Sequence, residues 1–343
     1  NLLGLTTTGK VTATIDTSET VTELATLNAD GGTNDLTIVI RAADATAATA
    51  AQLNTINDAT ALAVNLTNVT ALAGSSLADL GTLATAITNN QFSNATGLTT
   101  IAVSDTTIDA TTLATRIDSY DAINGEAATT GMTLASGATI NVDAGEITAM
   151  LADETAGRLT ISDQVINVNG AITVDNSNLL AATTTGKLTA TIDTSETVTE
   201  LATLSADGGT NDLTIVIRGA DATASTAAQL NTINDATTVA VDINNVTALA
   251  ASSLSDLGTL ATAITNSEFN NASGLTTIAV SDSTIDATTL AARIDSYDTI
   301  NVTSTTGMTL ASGATINVDS NEVTEMLADE TAGRLTIGDQ AIT

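Results

Sequence analysis

Four short acidic stretches carry the residue types best able to do chemistry: "DTSE" at 16–19, "DAGE" at 143–146, "DTSE" at 193–196 and "DSNE" at 319–322. Each follows a strand-like segment and precedes a helix-like stripe. An Asp three residues ahead of a Glu at such a boundary is a capping box, in which the Asp accepts an early helix N–H and the Glu reaches back. The same carboxylates on stacked turns are oxygen ligands for a divalent cation. Asp16, Glu19, Asp143, Glu146, Asp193, Glu196, Asp319 and Glu322 are therefore expected as helix caps first and as Ca²⁺ ligands second. A formal charge of −31 keeps the second reading in play.

"RIDSYD" at 116–121 and again at 293–298 sets an Arg near two Asp and a Tyr. An acid–base cluster is one use of such a group, but a local ion pair beside a partly buried Tyr is the expectation. The chain contains no His and no Cys. Carboxylates, Lys, Ser and Thr remain as candidate catalysts. No Gly-rich phosphate loop and no Ser-centred elbow accompanies them. The expectation is therefore no catalytic residue and no enzyme. Asn-X-Ser/Thr sequons at Asn65, Asn68, Asn94, Asn245, Asn271 and Asn301 are expected by chance in a chain this rich in Asn and Thr, with glycosylation on a secreted surface as the alternative. The Thr runs are too irregular for an ice-binding array.

The elements that hold these residues follow from composition. The chain has 343 residues, 43% hydrophobic, with Pro 0, Trp 0, Tyr 2 and Phe 2. That apolar share is too high for a disordered chain, and with so few aromatics the core must be built from Ala, Val, Leu and Ile. Eight basic residues against thirty-nine acidic ones exclude a nucleic-acid or anionic-lipid partner. No run of eighteen apolar residues is present, so no membrane span is expected. Without Cys there are no disulfides, which does not identify the compartment. Strands are expected within 10–16, 35–41, 61–67, 98–104, 138–143, 158–162 and 171–175, all rich in Val, Ile and Thr. Helical stripes are expected within 18–27, 75–87, 109–117 and 145–152.

The sequence also repeats. At an offset of 177, residues 1–124 match residues 178–301 at 104 positions, and the match resumes at an offset of 176 through the end. All eight basic residues obey it: Lys10 with Lys187, Arg41 with Arg218, Arg116 with Arg293, Arg158 with Arg334. The chain is read as two copies, 1–177 and an incomplete 178–343, cut from a longer array. Short strands alternating with short helices predict an α/β repeat solenoid, with one strand per coil in a stacked parallel sheet, short helices on the other wall and a thin aliphatic core.

Residues 48–72, "ATAAQLNTINDATALAVNLTNVTAL", their copy at 225–249, and 97–118, "GLTTIAVSDTTIDATTLATRID", resemble the Thr/Ala-rich tandem repeats of giant cyanobacterial cell-surface and secreted proteins. The resemblance implies a large extracellular or cell-surface protein of structural, adhesive or motility-related type. The calcium nonapeptide "GGxGxD" of many secreted repeat proteins is absent, so calcium in that form is not implied. Residues and resemblance together predict a structural segment of an extracellular filament, fibre or surface layer that self-associates. The alternative is an adhesin module that binds polysaccharide or a neighbouring cell.

Overall fold

Runs of Thr, Val and Ile favour extended backbone, and in this protein each such run lines up beside another that points the same way. The computed structural model describes residues 7–28, 33–125, 130–206, 210–301 and 305–343. It is mixed α/β, with several parallel sheets and eleven α-helices among the described residues. The chain divides into two compact units, 1–169 with 183–186, and 170–182 with 187–343.

In the first unit, the longest-stacked sheet runs Ala71–Ser75, Thr100–Val103, Gly131–Thr133 and Leu159–Thr160, all parallel. Its register sets Leu72 beside Ile101, Ile101 beside Met132 and Met132 beside Leu159. All four are 0–2% exposed, so one apolar ladder runs through the sheet. Strands Thr107–Asp109, Thr139–Asp143 and Val165–Ile172 carry a second ladder, Ile108–Ile140–Ile166, at 0% exposure throughout. Shorter parallel pairs join Thr12–Thr14 to Asp35–Thr37 and Val64–Asn65 to Phe92–Ser93. Burying matched aliphatic side chains in register contributes ~1.5–3 kcal/mol each.

Helices Ala50–Asp58, Leu77–Thr88 and Ala110–Asn124 pack one on the next. Each starts at a side-chain cap: Thr49 reciprocated by Gln52, Ser76 accepting from Asp79 N–H, and Asp109 accepting from Thr112 N–H. The longest ends at Gly125, whose φ of 68° closes the helix in the left-handed region.

The second unit repeats this plan. Leu249, Ile278, Met308 and Leu335 form its first ladder at 0–2% exposure, and Ile285 and Ile316 continue in register to Ile342.

Some expectations need correction. The segment at 171–175 is not a strand throughout: the strand ends at Ile172 and a helix, Val174–Thr183, begins. Thr173 caps that turn through Asn176 N–H, which ends the extended run. The stripe at 18–27 yields only the four-residue helix Val21–Leu24. The core is not purely aliphatic either. Tyr120 and Tyr297 are 0% exposed and Phe92 and Phe269 are also buried, the two Tyr hydroxyls being satisfied by the Leu80 and Leu257 carbonyls. The strands fall in several separate short sheets rather than in one.

Candidate functional site

The acidic turns part company in the structure. At Asp16 the carboxylate accepts from Ser18 N–H at 2.9 Å, closing a local turn. The helix after it is capped instead by Thr20, whose hydroxyl accepts from Glu23 N–H while the Glu23 carboxylate accepts from Thr20 N–H. Asp193 and Thr197–Glu200 repeat the arrangement. The capping boxes expected at Asp16–Glu19 and Asp193–Glu196 thus sit four residues later, since Asp16 and Asp193 spend their oxygens on the turn. Asp143 and Glu146 do form a reciprocal box. Asp319 N–H donates to Glu322 at 2.8 Å, the same back-reach.

The glutamates also reach other segments. Thr111 donates to Glu146, Thr288 to Glu322, and Glu196 accepts from Val174 N–H at 3.2 Å. Among the described residues no group of three or more Asp or Glu is placed to hold a metal ion. The Ser18 N–H holds the Asp16 carboxyl below its usual range, and the Thr20 N–H does so for Glu23. A general base needs a pKa near the working pH, so these shifts do not favour Asp16 or Glu23 as a general base.

In "RIDSYD" the ion pair is not local. Arg116 donates from Nε to the Leu77 carbonyl at 3.0 Å and lies flat on Gly81, where a Cβ would be 2.5 Å from its Cζ. Asp121 pairs with Arg158, 37 residues on, at 3.3 Å. Arg158 also pairs with Asp153, whose carboxyl burial pushes up despite that guanidinium. Tyr120 is fully buried and donates to the Leu80 carbonyl at 3.1 Å, and burial pushes its phenol pKa up. Arg293, Asp298, Arg334, Asp329 and Tyr297 repeat every one of these contacts. Segments 37 to 40 residues away supply the Asp121 ion pair and the Arg116 and Tyr120 hydrogen bonds, which is why residue spacing within the hexapeptide misses them.

Local spacing misses a second device for the same reason. The first N–H of a helix donates to a side chain 23 to 28 residues later: Val21 to Asp44, Ala50 to Ser75, Leu77 to Asp105. Val198 to Asp221, Ala227 to Ser252 and Leu254 to Asp282 copy it. Arg41 anchors Asp44 and donates to the Ser18 carbonyl at 2.9 Å, so one Arg–Asp pair fixes both the acidic turn and the helix after it.

The sequon amides are occupied by protein partners at several positions. Asn68 and Asn245 donate to the carbonyls of Ile40 and Ile217, each at 2.8 Å. Asn301, 2% exposed, donates to the Leu275 carbonyl. A shallow groove lies over the helices in each unit. The first is lined by Asn54, Asn57, Thr85, Gln91 and Arg116, and the second by Asn231, Asn234, Thr262, Glu268 and Arg293. No helix among the described residues is long and apolar enough to cross a membrane.

Comparison with known proteins returns no matching family model, no similar curated protein and no similar solved structure.

Proposed function

We propose that this chain is a structural repeat segment of an extracellular filament, fibre or surface layer, and that its parallel strands wind as a solenoid. The carrying observation is the pair of register-locked ladders, Leu72–Ile101–Met132–Leu159 and Leu249–Ile278–Met308–Leu335, built twice from equivalent residues. Partners in the strand pairs lie 23 to 32 residues apart, for example Thr12 with Asp35 and Thr107 with Thr139. Each step adds one layer, and the caps that reach from one layer to the helix of the preceding one tie layers together. The work of such a protein is mechanical: ladder hydrogen bonds and a continuous apolar core resist unravelling. A chain without Pro interrupts no ladder donor. Near-identical copies also speak against a single active site, since catalysis in one copy would let the other drift.

An adhesin that binds polysaccharide is the second reading. The twin grooves favour it, being lined by carboxamides, hydroxyls, a few carboxylates (Asp58 in the first, Asp235 and Glu268 in the second) and an Arg that forms no salt bridge among the described residues. It ranks second because all four aromatic side chains are buried, leaving no ring for sugar stacking.

Electron microscopy of the native material tests the first reading. Six or seven layers per 177-residue period, at ~4.8 Å each, predict an axial repeat of roughly 29–34 Å. Filaments or layers with that spacing are the expected result. Isolated compact particles would overturn it and favour the adhesin. Loss of the filaments in a calcium chelator would assign the acidic turns to Ca²⁺.

A further inference from the structure

Six of the eight basic side chains pair with a carboxylate, and the two that do not are Arg116 and its copy Arg293. Among the described residues neither has a salt bridge, in a chain with thirty-nine Asp and Glu. Both are nevertheless fixed in place. Arg116 donates from Nε to the Leu77 carbonyl at 3.0 Å and lies flat on Gly81. Arg293 donates to the Leu254 carbonyl at 3.1 Å and lies on Gly258, where a Cβ would be 2.6 Å from its Cζ. Nε is the only donor so used. The terminal nitrogens of each guanidinium keep their N–H groups unengaged among the described residues, and they are not buried.

Asn54 supplies the complement. Its Nδ2 donates to the Asp79 carbonyl at 3.0 Å, while its Oδ1 is buried and accepts no hydrogen bond from the protein. Asn231 copies both features, with Nδ2 on the Asp256 carbonyl at 3.0 Å. A buried acceptor without a donor is costly, and native proteins normally satisfy it with water or a ligand. In each unit the Arg and the Asn line the same groove, of about 510 Å³ in the first and about 490 Å³ in the second. Those volumes fall within the ~300–1,000 Å³ of small-ligand sites. Each groove thus offers a fixed cation with open donors and an acceptor that lacks a donor.

We propose that each groove takes a uronate unit of an acidic polysaccharide, its carboxylate on the terminal nitrogens of the Arg and a ring hydroxyl donating to the Asn Oδ1. The planar fork of a guanidinium matches a carboxylate bidentately, and a sugar acid carries that anion beside hydroxyl donors on one ring. The formal charge of −31 repels such a ligand at long range. At ~0.15 M salt that repulsion is screened beyond ~8 Å, while contacts inside the groove persist. The two grooves differ in strength. Their equivalent lining residues differ at two positions, Ala78 against Ser255 and Gln91 against Glu268. Glu268 adds a negative charge, held by Asn234 Nδ2 at 2.7 Å, where Gln91 is neutral. The first groove is therefore the tighter site by about tenfold, the scale of one extra like charge near a protein surface. This inference rests on the polysaccharide reading of the grooves and is independent of filament formation.

The test is isothermal titration calorimetry of the full 343-residue chain with tri-galacturonate and with neutral galactotriose, in ~0.15 M salt. Wild type is expected to bind the acid with a Kd of ~1 mM or tighter, and the neutral trimer at least about tenfold more weakly. Arg293→Gln leaves only the first groove and Arg116→Gln only the second, so the former should bind the acid about tenfold more tightly than the latter. Glu268→Gln added to Arg116→Gln should remove that difference. Gln91→Glu alters an exposed residue and leaves the Arg seat untouched, and in the Arg293→Gln background it should weaken the acid by about tenfold. Circular dichroism melts check folding, and Gln91→Glu in the wild-type chain carries the test if an Arg variant does not fold. Acid binding that survives Arg116→Gln with Arg293→Gln overturns the site. Galactotriose binding as tightly as the acid, and lost in that double variant, overturns the acid preference while leaving the polysaccharide reading intact. Absence of binding by either sugar overturns both. The fibre reading fails separately, on native material without filaments.

Discussion

The carboxylate of Asp105 accepts the backbone N–H of Leu77 at 2.7 Å, across 28 residues of chain. Leu77 opens the helix Leu77–Thr88, and Ser76 already caps that helix from the near side by accepting from Asp79 N–H. Two of the four free N–H groups of the first turn are thus satisfied, one from within the segment and one from a residue 28 positions later. Asp282 does the same for Leu254 at 2.8 Å. An anionic side chain also suits the positive end of the helix dipole.

Asp105→Ala should therefore cost about 1 kcal/mol of stability, the usual effect of losing a cap. The measurement is a urea midpoint with unchanged m-value. Asp282→Ala should cost the same in the other unit. The exposed Asp118→Ala is the control and should stay within about 0.5 kcal/mol.

Gly81 and Arg116 should show coupled energetics. A Cβ at Gly81 would be 2.5 Å from the guanidinium carbon, so Gly81→Ala forces Arg116 off the helix and off the Leu77 carbonyl. In an Arg116→Ala background that obstacle is gone. There Gly81→Ala should stabilise by up to about 1 kcal/mol, from helix propensity alone. In the wild-type background the gain should shrink or reverse sign. A double-mutant cycle on urea midpoints reads the difference. Additive effects would mean the stacking contributes nothing.

Tyr120→Phe removes a buried hydroxyl that donates to the Leu80 carbonyl at 3.1 Å. The expected loss is about 1 kcal/mol. Tyr297→Phe should match it, because the Leu257 carbonyl is engaged in the same way. Thermal melts of the two single variants and the double variant check this, with near-additive shifts expected.

Acid should destabilise the protein once its general charge repulsion is screened. Among the described residues ten carboxyls lie below their ordinary values, Asp16, Glu23, Asp44, Asp109, Asp163, Asp193, Glu200, Asp212, Asp286 and Asp339, and two, Asp153 and Asp329, lie above. The causes are local: the Thr112 hydroxyl and N–H lower Asp109, and burial raises Asp153. A depressed carboxyl contributes stability that is present above its unfolded pKa, near ~4, and is lost as pH falls through its folded value. A raised carboxyl contributes the reverse, stability present at low pH and lost as pH climbs through its folded value. The depressed group is larger, so stability should fall from about pH 5 to about pH 3 in urea titrations. About 1 M salt is needed in the buffer, where a Debye length of about 3 Å suppresses long-range repulsion but not hydrogen bonds. Stability that rises over that interval would mean repulsion outweighs the local bonds even when screened.

Much of this protein is written in short-range patterns. The duplication is visible from identity alone, and equivalent residues make equivalent contacts in both units. The helices around Leu80, Leu113 and Met150 follow from apolar stripes at helical spacing, and the Asp143–Glu146 box from a four-residue motif. These depend on neighbours within one or two turns, which a sequence states directly. The strands Phe92–Ser93, Gly131–Thr133 and Thr107–Asp109 do not, because two or three residues have no extended preference of their own and become strands only beside a partner ladder. The same holds for the caps from Asp44 and Asp105, the seat of Arg116 on Gly81, and the split of Asp121 and Tyr120 between different partners. Each joins residues 23 to 40 positions apart, and a side chain's local sequence carries no record of which distant backbone group the fold will set beside it. Composition and repeat determined the duplication and the largely aliphatic make-up of the core; the pairing of distant segments decided which carboxylate caps a helix and which pairs with a guanidinium.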